Sequence, residues 1–267
     1  MAAAPPLAAR VAKAMTTLLI LGSKPDPALP PRSAYHDVAC ANASGFSAAR
    51  HGLPTPAYTV MTAVLTSGKV EDAHSLRVLA GLETRTLYFL PRPLRQDSLA
   101  KRALAHLKQW RLKPFYMKYR LRRLRYRYDR FVVRPASYYH DLMRTLCDHD
   151  PAIGELIRTK QPSTGMFALA IGVAGLDYDR FILSGFDFGL EHAYGENPLI
   201  RARGTATSKH ADTDVAIVRH LARRHGNILT TEPTVHERAG VPLLPADREL
   251  AGRSPDEPAA APRPARR

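Results

Sequence analysis

Apolar positions in this chain fall in short runs that stop at glycine or proline, the pattern of strands buried on both faces. Leu18–Leu21, ended by Gly22, predicts a first strand; Val38–Ala41, running into Asn42-Ala-Ser-Gly45, predicts a second. Thr84–Leu90, stopped by Pro91 and Pro93, predicts a third, and Phe131-Val-Val133, Phe181–Leu183 and Ile228-Leu229 predict three more. Pro25, Pro27, Pro30 and Pro31 forbid a long helix after the first strand. Helical patterns fill the remaining gaps. Ser98–Trp110 predicts a helix broken near Pro114, and Tyr139–Cys147 predicts another. Ser163–Val173 is apolar nearly all round, which predicts a buried helix rather than a surface one. A last helix starts near Asp212 or Thr213 and sets Val215, Val218, Leu221 and Ala222 on one face. It closes with Arg223, Arg224 and His225 before Gly226, the basic last turn and glycine cap of a helix C-terminus.

Strands alternating with helices predict an α/β fold, a Rossmann-like, mostly parallel sheet with helices on both faces. In such a sheet ligands bind in the crevice at the C-terminal ends of the strands. We expect one domain over residues 1–246, with a basic, aromatic insertion at about 98–130, and a disordered Pro-, Ala- and Arg-rich tail over 247–267. The 267 residues are enough for a sizeable core. Only Cys40 and Cys147 are present, too few for a disulfide framework or a Cys-rich zinc site, and they predict a reducing compartment. No apolar run approaches the ~20 residues needed to span a bilayer. The short apolar stretch after Arg10 and Lys13 runs straight into the first strand, so the expectation is a cytoplasmic protein without a cleaved leader.

Charge alters this picture in one place. The net charge is +15, and twelve Lys/Arg against one acid, Asp129, lie between Lys101 and Arg130. Trp110, Phe115, Tyr116, Tyr119, Tyr126 and Tyr128 are interleaved with those cations. The mixture suits an anionic membrane surface, which would place the protein peripherally on the inner face of the cell membrane. It equally suits a solvated helical excursion. Nucleic acid ranks behind both, because no recognised nucleic-acid motif accompanies the charge.

The sharpest chemical feature is Gln161-Pro-Ser-Thr-Gly165, directly before the buried helix. Pro162 stiffens the entry, Ser163 or Thr164 can cap the helix, and Gly165 admits a ligand close to the backbone. Free N–H groups and the helix dipole favour an anion or a nucleotide edge there. An ordinary helix cap has the same composition.

With its context, Pro162–Gly165, an apolar helix and then Tyr178-Asp-Arg-Phe-Ile-Leu-Ser-Gly-Phe186, this segment resembles the small sialylmotif of the eukaryotic-type sialyltransferases. Three other stretches resemble that family's remaining motifs in order. Thr17–Ser23 followed by Tyr35–Asn42 is similar to the large motif, Glu191-His-Ala-Tyr194 to the third, and Lys209-His-Ala-Asp-Thr-Asp214 to the very small motif. The likeness runs from Thr17 to Leu221, with little match between Thr55 and Ile157. The chain departs from the family at Ser23, where the family has Asn. It departs again after His210, which is followed four positions later by Asp214 rather than immediately by Glu. The family's disulfide and membrane anchor have no counterpart, as in a divergent, bacterial-like member.

The resemblance implies a sialyltransferase-type GT-A variant that uses a CMP-activated ulosonic sugar, sialic acid or Kdo-like, with a glycan or glycolipid as acceptor. It implies His210 as the general base that takes the acceptor proton, oriented by Asp212 or Asp214. It implies His192 on the donor phosphate, with Tyr194 as a second donor of hydrogen bonds, and Asn42 near the nucleotide or acceptor. Ser163, Thr164 and Gly165 would hold the CMP ribose and base, and Gly22 and Ser23 would lie under the nucleotide. No cofactor and no metal are expected, since a CMP sugar carries one phosphate rather than a pyrophosphate. Asp212-Thr-Asp214 nonetheless spells a metal-binding Asp-x-Asp, which keeps open a metal-dependent nucleotide-diphosphate-sugar transferase. A non-catalytic α/β protein that binds nucleic acid, membrane or nucleotide is the other alternative.

Overall fold

The computed structural model describes residues 15–68, 70–92, 109–175, 177–189 and 208–245. Four parallel crossovers in a row carry the chain across one half of the sheet. Strand β1 (Thr17–Leu21) leads to β2 (Asp37–Ala41), helix α1 (Gly45–Arg50), β3 (Tyr58–Thr62), helix α2 (Val70–Arg77) and β4 (Glu83–Leu90). Helix α3 (Pro114–Arg123), β5 (Arg127–Val133), α4 (Ala136–Leu146) and α5 (Pro151–Thr159) follow. The second half contains α6 (Thr164–Gly175), β6 (Arg180–Ser184), α7 (Ala211–His225), β7 (Ile228–Thr230) and α8 (Pro233–Ala239). The strands form one seven-stranded sheet in the order β5-β4-β3-β2-β1-β6-β7, and every pairing is parallel.

The strand order reverses at β1. The chain moves outward from β1 to β5 and then returns to place β6 on the other side of β1. That reversal opens a crevice between the C-terminal ends of β1 and β6, where open α/β sheets bind ligands. The α/β, Rossmann-like expectation therefore holds.

Packing follows from strands buried on both faces. Leu18 and Ile20 of β1 join Tyr58, Val60 and Phe181 on the face covered by α4, α6 and α7, whereas Leu19 and Leu21 face Val38, Cys40 and Ile182 on the other. Towards the β5 edge, Met61, Leu87 and Phe89 pack against Met117 and Leu121 of α3. Helix α6 lies across β1, β2, β3 and β6 and has eight consecutive buried residues, Gly165–Gly172. Each large apolar side chain it buries stabilises the fold by about 1.5–3 kcal/mol, which explains an all-round apolar helix at this position.

Predicted and observed elements agree at the cores of the strands and diverge around the basic stretch. Pro114 does not break a helix there; it occupies the first position of α3, where the missing N–H costs nothing. The predicted helix Ser98–Trp110 lies outside the described residues apart from Trp110 and Gln109, and Trp110 opens a short 3-10 turn. Nor are residues 114–130 an excursion over the domain: Met117, Leu121 and Tyr126 are core residues, and Arg127–Val133 is the sheet's edge strand. Strand β3 escapes the sequence pattern because its buried run, Tyr58-Thr-Val-Met, interleaves hydroxyl groups with apolar ones. Thr59 is buried because its hydroxyl bonds Thr84 Oγ1 on β4 at 3.1 Å. Helix α5 begins where Asp150 accepts hydrogen bonds from the N–H groups of Ala152 (2.8 Å) and Ile153 (3.1 Å) with Pro151 in the first turn. The predicted tail also lies outside the described residues.

Candidate active site

The crevice starts with two glycines. Gly22 follows β1 and Gly185 follows β6, and a Cβ on Gly22 would stand 2.1 Å from the Gly185 carbonyl oxygen. Gly185 has φ +72°, which only glycine adopts without strain. Backbone bonds join the two ends: Gly22 N–H donates to Ser184 O (2.8 Å) and Lys24 N–H to Gly185 O (3.0 Å). Gly22 is thus required by the junction itself, whatever ligand lies above it. Ser23 is half-buried between these bonds.

Helix α6 points its N-terminus into the same region. The Ser163 backbone carbonyl accepts from the Met166 N–H at 3.1 Å, which makes Ser163 the residue at which the helix of Pro162-Ser-Thr-Gly165 begins. Gly165 faces the ring of Phe186 just beyond β6, where a Cβ would come within 2.4 Å of the ring edge. This contact is the physical reason why the glycine of the first half of the motif and the Ser-Gly-Phe of the second occur together. Asn42, just past β2, adopts φ +51° and ties three elements together. Its N–H donates to Val60 O (2.7 Å), its Oδ1 accepts from Thr62 N–H (3.0 Å), and its Nδ2 donates to Thr164 Oγ1 (3.0 Å).

The start of α7 is zipped onto the segment before α6. Lys160 Nζ pairs with Asp212 Oδ2 (2.7 Å), and Thr213 Oγ1 donates to Lys160 O (2.7 Å). His210 Nδ1 meets Gln161 O (2.5 Å), and the Ser163 N–H donates to Asp214 Oδ1 (2.8 Å). These contacts bring His210 beside Pro162–Gly165. A carbonyl partner can only accept, so Nδ1 carries the proton and Nε2 keeps its lone pair. Burial lowers the His210 pKa below the usual imidazole value, with Lys209 adding to the effect and the Gln161 bond opposing it. The shift favours the uncharged form of the ring.

Neither acid orients this ring. Asp212 is exposed, and its ion pair with Lys160 lowers its pKa. Asp214 is 5% exposed, and burial pushes its carboxyl up to about 7 against the hydrogen bonds from Ser163. The partner of the His210 ring is the Gln161 carbonyl rather than Asp212 or Asp214, which are bound to Lys160 and Ser163. Because the two carboxyls are committed to different partners, Asp212-Thr-Asp214 does not form a two-oxygen metal claw. Among the described residues no group of three or more His, Cys, Asp or Glu could hold a metal ion. His192 and Tyr194 lie outside the described residues.

One further residue of the crevice has no signature in the sequence. Glu232, 1% exposed at the end of β7, accepts hydrogen bonds at Oε1 from Ala28 N–H and Gly185 N–H, both at 2.8 Å. Its Oε2 pairs with Lys24 Nζ at 2.6 Å. A single carboxylate thus joins the loops after β1, β6 and β7. Nothing in Thr230-Thr-Glu-Pro233 distinguishes it from an ordinary helix entry.

No protein-family model matches this chain, and no curated protein matches it in sequence. Solved structures do match it. The sialyltransferase CstII from Campylobacter jejuni in complex with the substrate analogue cytidine-5′-monophosphate is similar at TM-score 0.51 and 17% identity, over 86% of each chain. CstII in complex with a trisaccharide acceptor and CMP gives TM-score 0.50 and 17% identity, over 86% of this chain and 87% of that one. The monofunctional α-2,3-sialyltransferase Cst-I from Campylobacter jejuni gives TM-score 0.51 and 15% identity, over 87% and 82%. The chain has the fold of these enzymes.

Proposed function

We propose that this protein is a glycosyltransferase that moves a sugar from a CMP-activated donor of the ulosonic class, sialic acid or Kdo-like, to a hydroxyl of a cell-surface glycan or glycolipid. The observation that carries the reading is the seating of His210 against Gln161, beside the helix start Pro162–Gly165 on a sheet whose strand order reverses at β1. The shared fold supports it, since CstII binds CMP in the structures to which this chain is similar.

The reaction is a single in-line displacement with inversion. The acceptor oxygen attacks the anomeric carbon, the bond from that carbon to the phosphate oxygen breaks, and CMP departs with the electron pair. His210 Nε2 takes the acceptor proton. Such proton transfer contributes about 10²- to 10⁴-fold to the rate, and holding both reactants in line contributes the rest. Ser163, Thr164 and Gly165 bind the ribose and base, Asn42 and Ser23 the nucleotide edge, and Gly22 the floor. His192 and Tyr194 donate to the leaving phosphate. No cofactor and no metal ion enter this scheme, because one phosphate leaves as a monoester and fixed hydrogen-bond donors can stabilise its charge. A reducing, cytoplasmic setting fits two free, buried cysteines.

The test is a donor screen with CMP-sialic acid and CMP-Kdo in the presence of EDTA, following release of CMP. Release or transfer with at least one CMP sugar is expected, undiminished by EDTA. Turnover confined to a UDP or GDP sugar, and dependent on manganese, would refute the reading.

A further inference from the structure

Along the β5 edge the molecule faces outward in a way the crevice does not. Seven large hydrophobic side chains are exposed among the described residues, and five of them, Trp110, Phe115, Tyr119, Val133 and Tyr138, belong to one 29-residue stretch. The same stretch holds the densest charge in the chain, and no acid occurs between Asp97 and Asp129. In the fold these residues occupy one border. Helix α3 covers one face of the sheet at β5, with Lys118 Nζ 4.7 Å from the Phe131 ring, and Tyr139 of α4 packs on the other face beside Tyr88 and Leu90 of β4.

The rings and cations are organised with respect to each other. Trp110, Tyr116 and Tyr119 form a ladder with centroid separations of 4.7 and 5.9 Å. Arg111, Arg120 and Arg123 lie over Trp110, Tyr116 and Tyr119 respectively. A guanidinium stacked on a ring still presents its edge N–H groups, which suit phosphate oxygens. Further along, Lys118, Arg122, Arg125 and Arg127, the last paired with Glu83 at 2.7 Å, line an open groove of about 1040 Å³ together with Tyr128 and one acid, Asp129.

The topology also gives this border a direction. Val133 ends β5 at the C-terminal side of the sheet, and Arg134 and Tyr138 follow it. Trp110 and Arg111 lie at the same side, because the Arg111 carbonyl accepts from Thr66, in the turn directly after β3. The aromatic end of the border is therefore the end on which the crevice opens. Four strand spacings of about 4.8 Å separate β5 from β1, or about 19 Å.

We infer that the β5 border, with α3 and the start of α4, docks on an anionic phospholipid bilayer. Cations meet headgroup phosphates there, and Trp and Tyr rings settle at the headgroup level. A bilayer lying against this border sits beside the crevice mouth, within reach of a lipid-linked acceptor a few sugars long. Nucleic acid fits less well. Its phosphates suit the cations, but it gives no site to Phe115 at 61% exposure or to Val133 at 47%.

The chain carries its own probe, since Trp110 is its single tryptophan. The full-length protein is mixed with vesicles of phosphatidylcholine alone or of phosphatidylcholine with phosphatidylglycerol, and sedimentation and tryptophan emission are followed. Binding to the anionic vesicles only is expected, with a blue shift of Trp110 emission and release of protein as salt shortens the screening length. A Lys118→Gln/Arg122→Gln double variant should bind these vesicles about thirtyfold more weakly, at about tenfold per 1.4 kcal/mol and about 1 kcal/mol per cation. Both positions are exposed, so unchanged circular dichroism and melting accompany that loss. Failure to bind anionic vesicles at low salt overturns the inference, and so does binding to single-stranded DNA alone. Undiminished vesicle binding by the double variant overturns the assignment to this border. No donor sugar enters the measurement, so it succeeds or fails independently of the transferase reading.

Discussion

The β1–β6 crevice and the β5 border use polar groups in opposite ways. In the crevice, side chains are spent on the protein itself: Asn42 bridges β2, β3 and α6, Asp214 holds the Ser163 N–H, and Glu232 joins three loops. At the border, cations lie over exposed rings and face outward. Internal commitment fixes geometry, which a displacement reaction needs to within fractions of an ångström. Outward-facing charge fixes little, but it adapts to a surface without regular structure. Changes in the crevice should therefore alter chemistry and stability, whereas changes at the border should leave both alone.

The largest effect is expected at His210. His210→Ala should lower transfer by about 10²- to 10⁴-fold while CMP affinity stays within about twofold, since in the proposed reaction the ring acts on the acceptor. Transfer by this variant at the wild-type rate would break the comparison at its catalytic side. Next in size is Glu232→Ala, which strands Lys24 and two backbone N–H groups and should cost about 3 kcal/mol in denaturant melts. The figure sits at the low end for a broken buried pair because the Lys24 side chain is 30% exposed. The Lys118→Gln/Arg122→Gln variant should shift the same melts by less than about 0.5 kcal/mol. Equal losses in the two variants would erase the distinction between the regions.

A separate effect lies in pH. The folded pKa of Asp214 is raised to about 7 from an ordinary 3.8, so its contribution to stability is fully present below about pH 4 and is lost as pH rises through 7. His210 acts in the opposite sense. Its folded pKa is lowered, so its contribution is present above pH 6.5 and is lost as pH falls through the folded value. Asp214→Asn should remove the alkaline loss and flatten the melting temperature between pH 5 and 8. An unchanged profile would show that the carboxyl is already ionised beneath Ser163.

Sequence patterns reveal the sheet's middle and little of its joins. β1, β6 and α6 stand out because burial on both faces leaves uninterrupted apolar runs, and the α7 terminus because Gly226 takes φ +63° after a basic turn. Pro162–Gly165 stands out because a cap and a close approach need particular residues. The partners of that cap do not. Asp214 lies 51 residues from Ser163 and two from Asp212, yet the first is buried beneath a backbone N–H and the second points to solvent. Adjacent letters gave no sign of that split, and Glu232 was hidden for the same reason, its partners being distant backbone groups. At the border, composition predicts an insertion because Met117, Leu121 and Tyr126, the inward face of an otherwise cationic stretch, do not stand out among the charges.

The central claim is use of a CMP-activated donor, and calorimetric titration with CMP, CDP and UDP in EDTA tests it most directly. Saturable binding of CMP, tighter than that of UDP and unaffected by added manganese, is the predicted result. Tight UDP binding that requires manganese, with no heat from CMP, would contradict it.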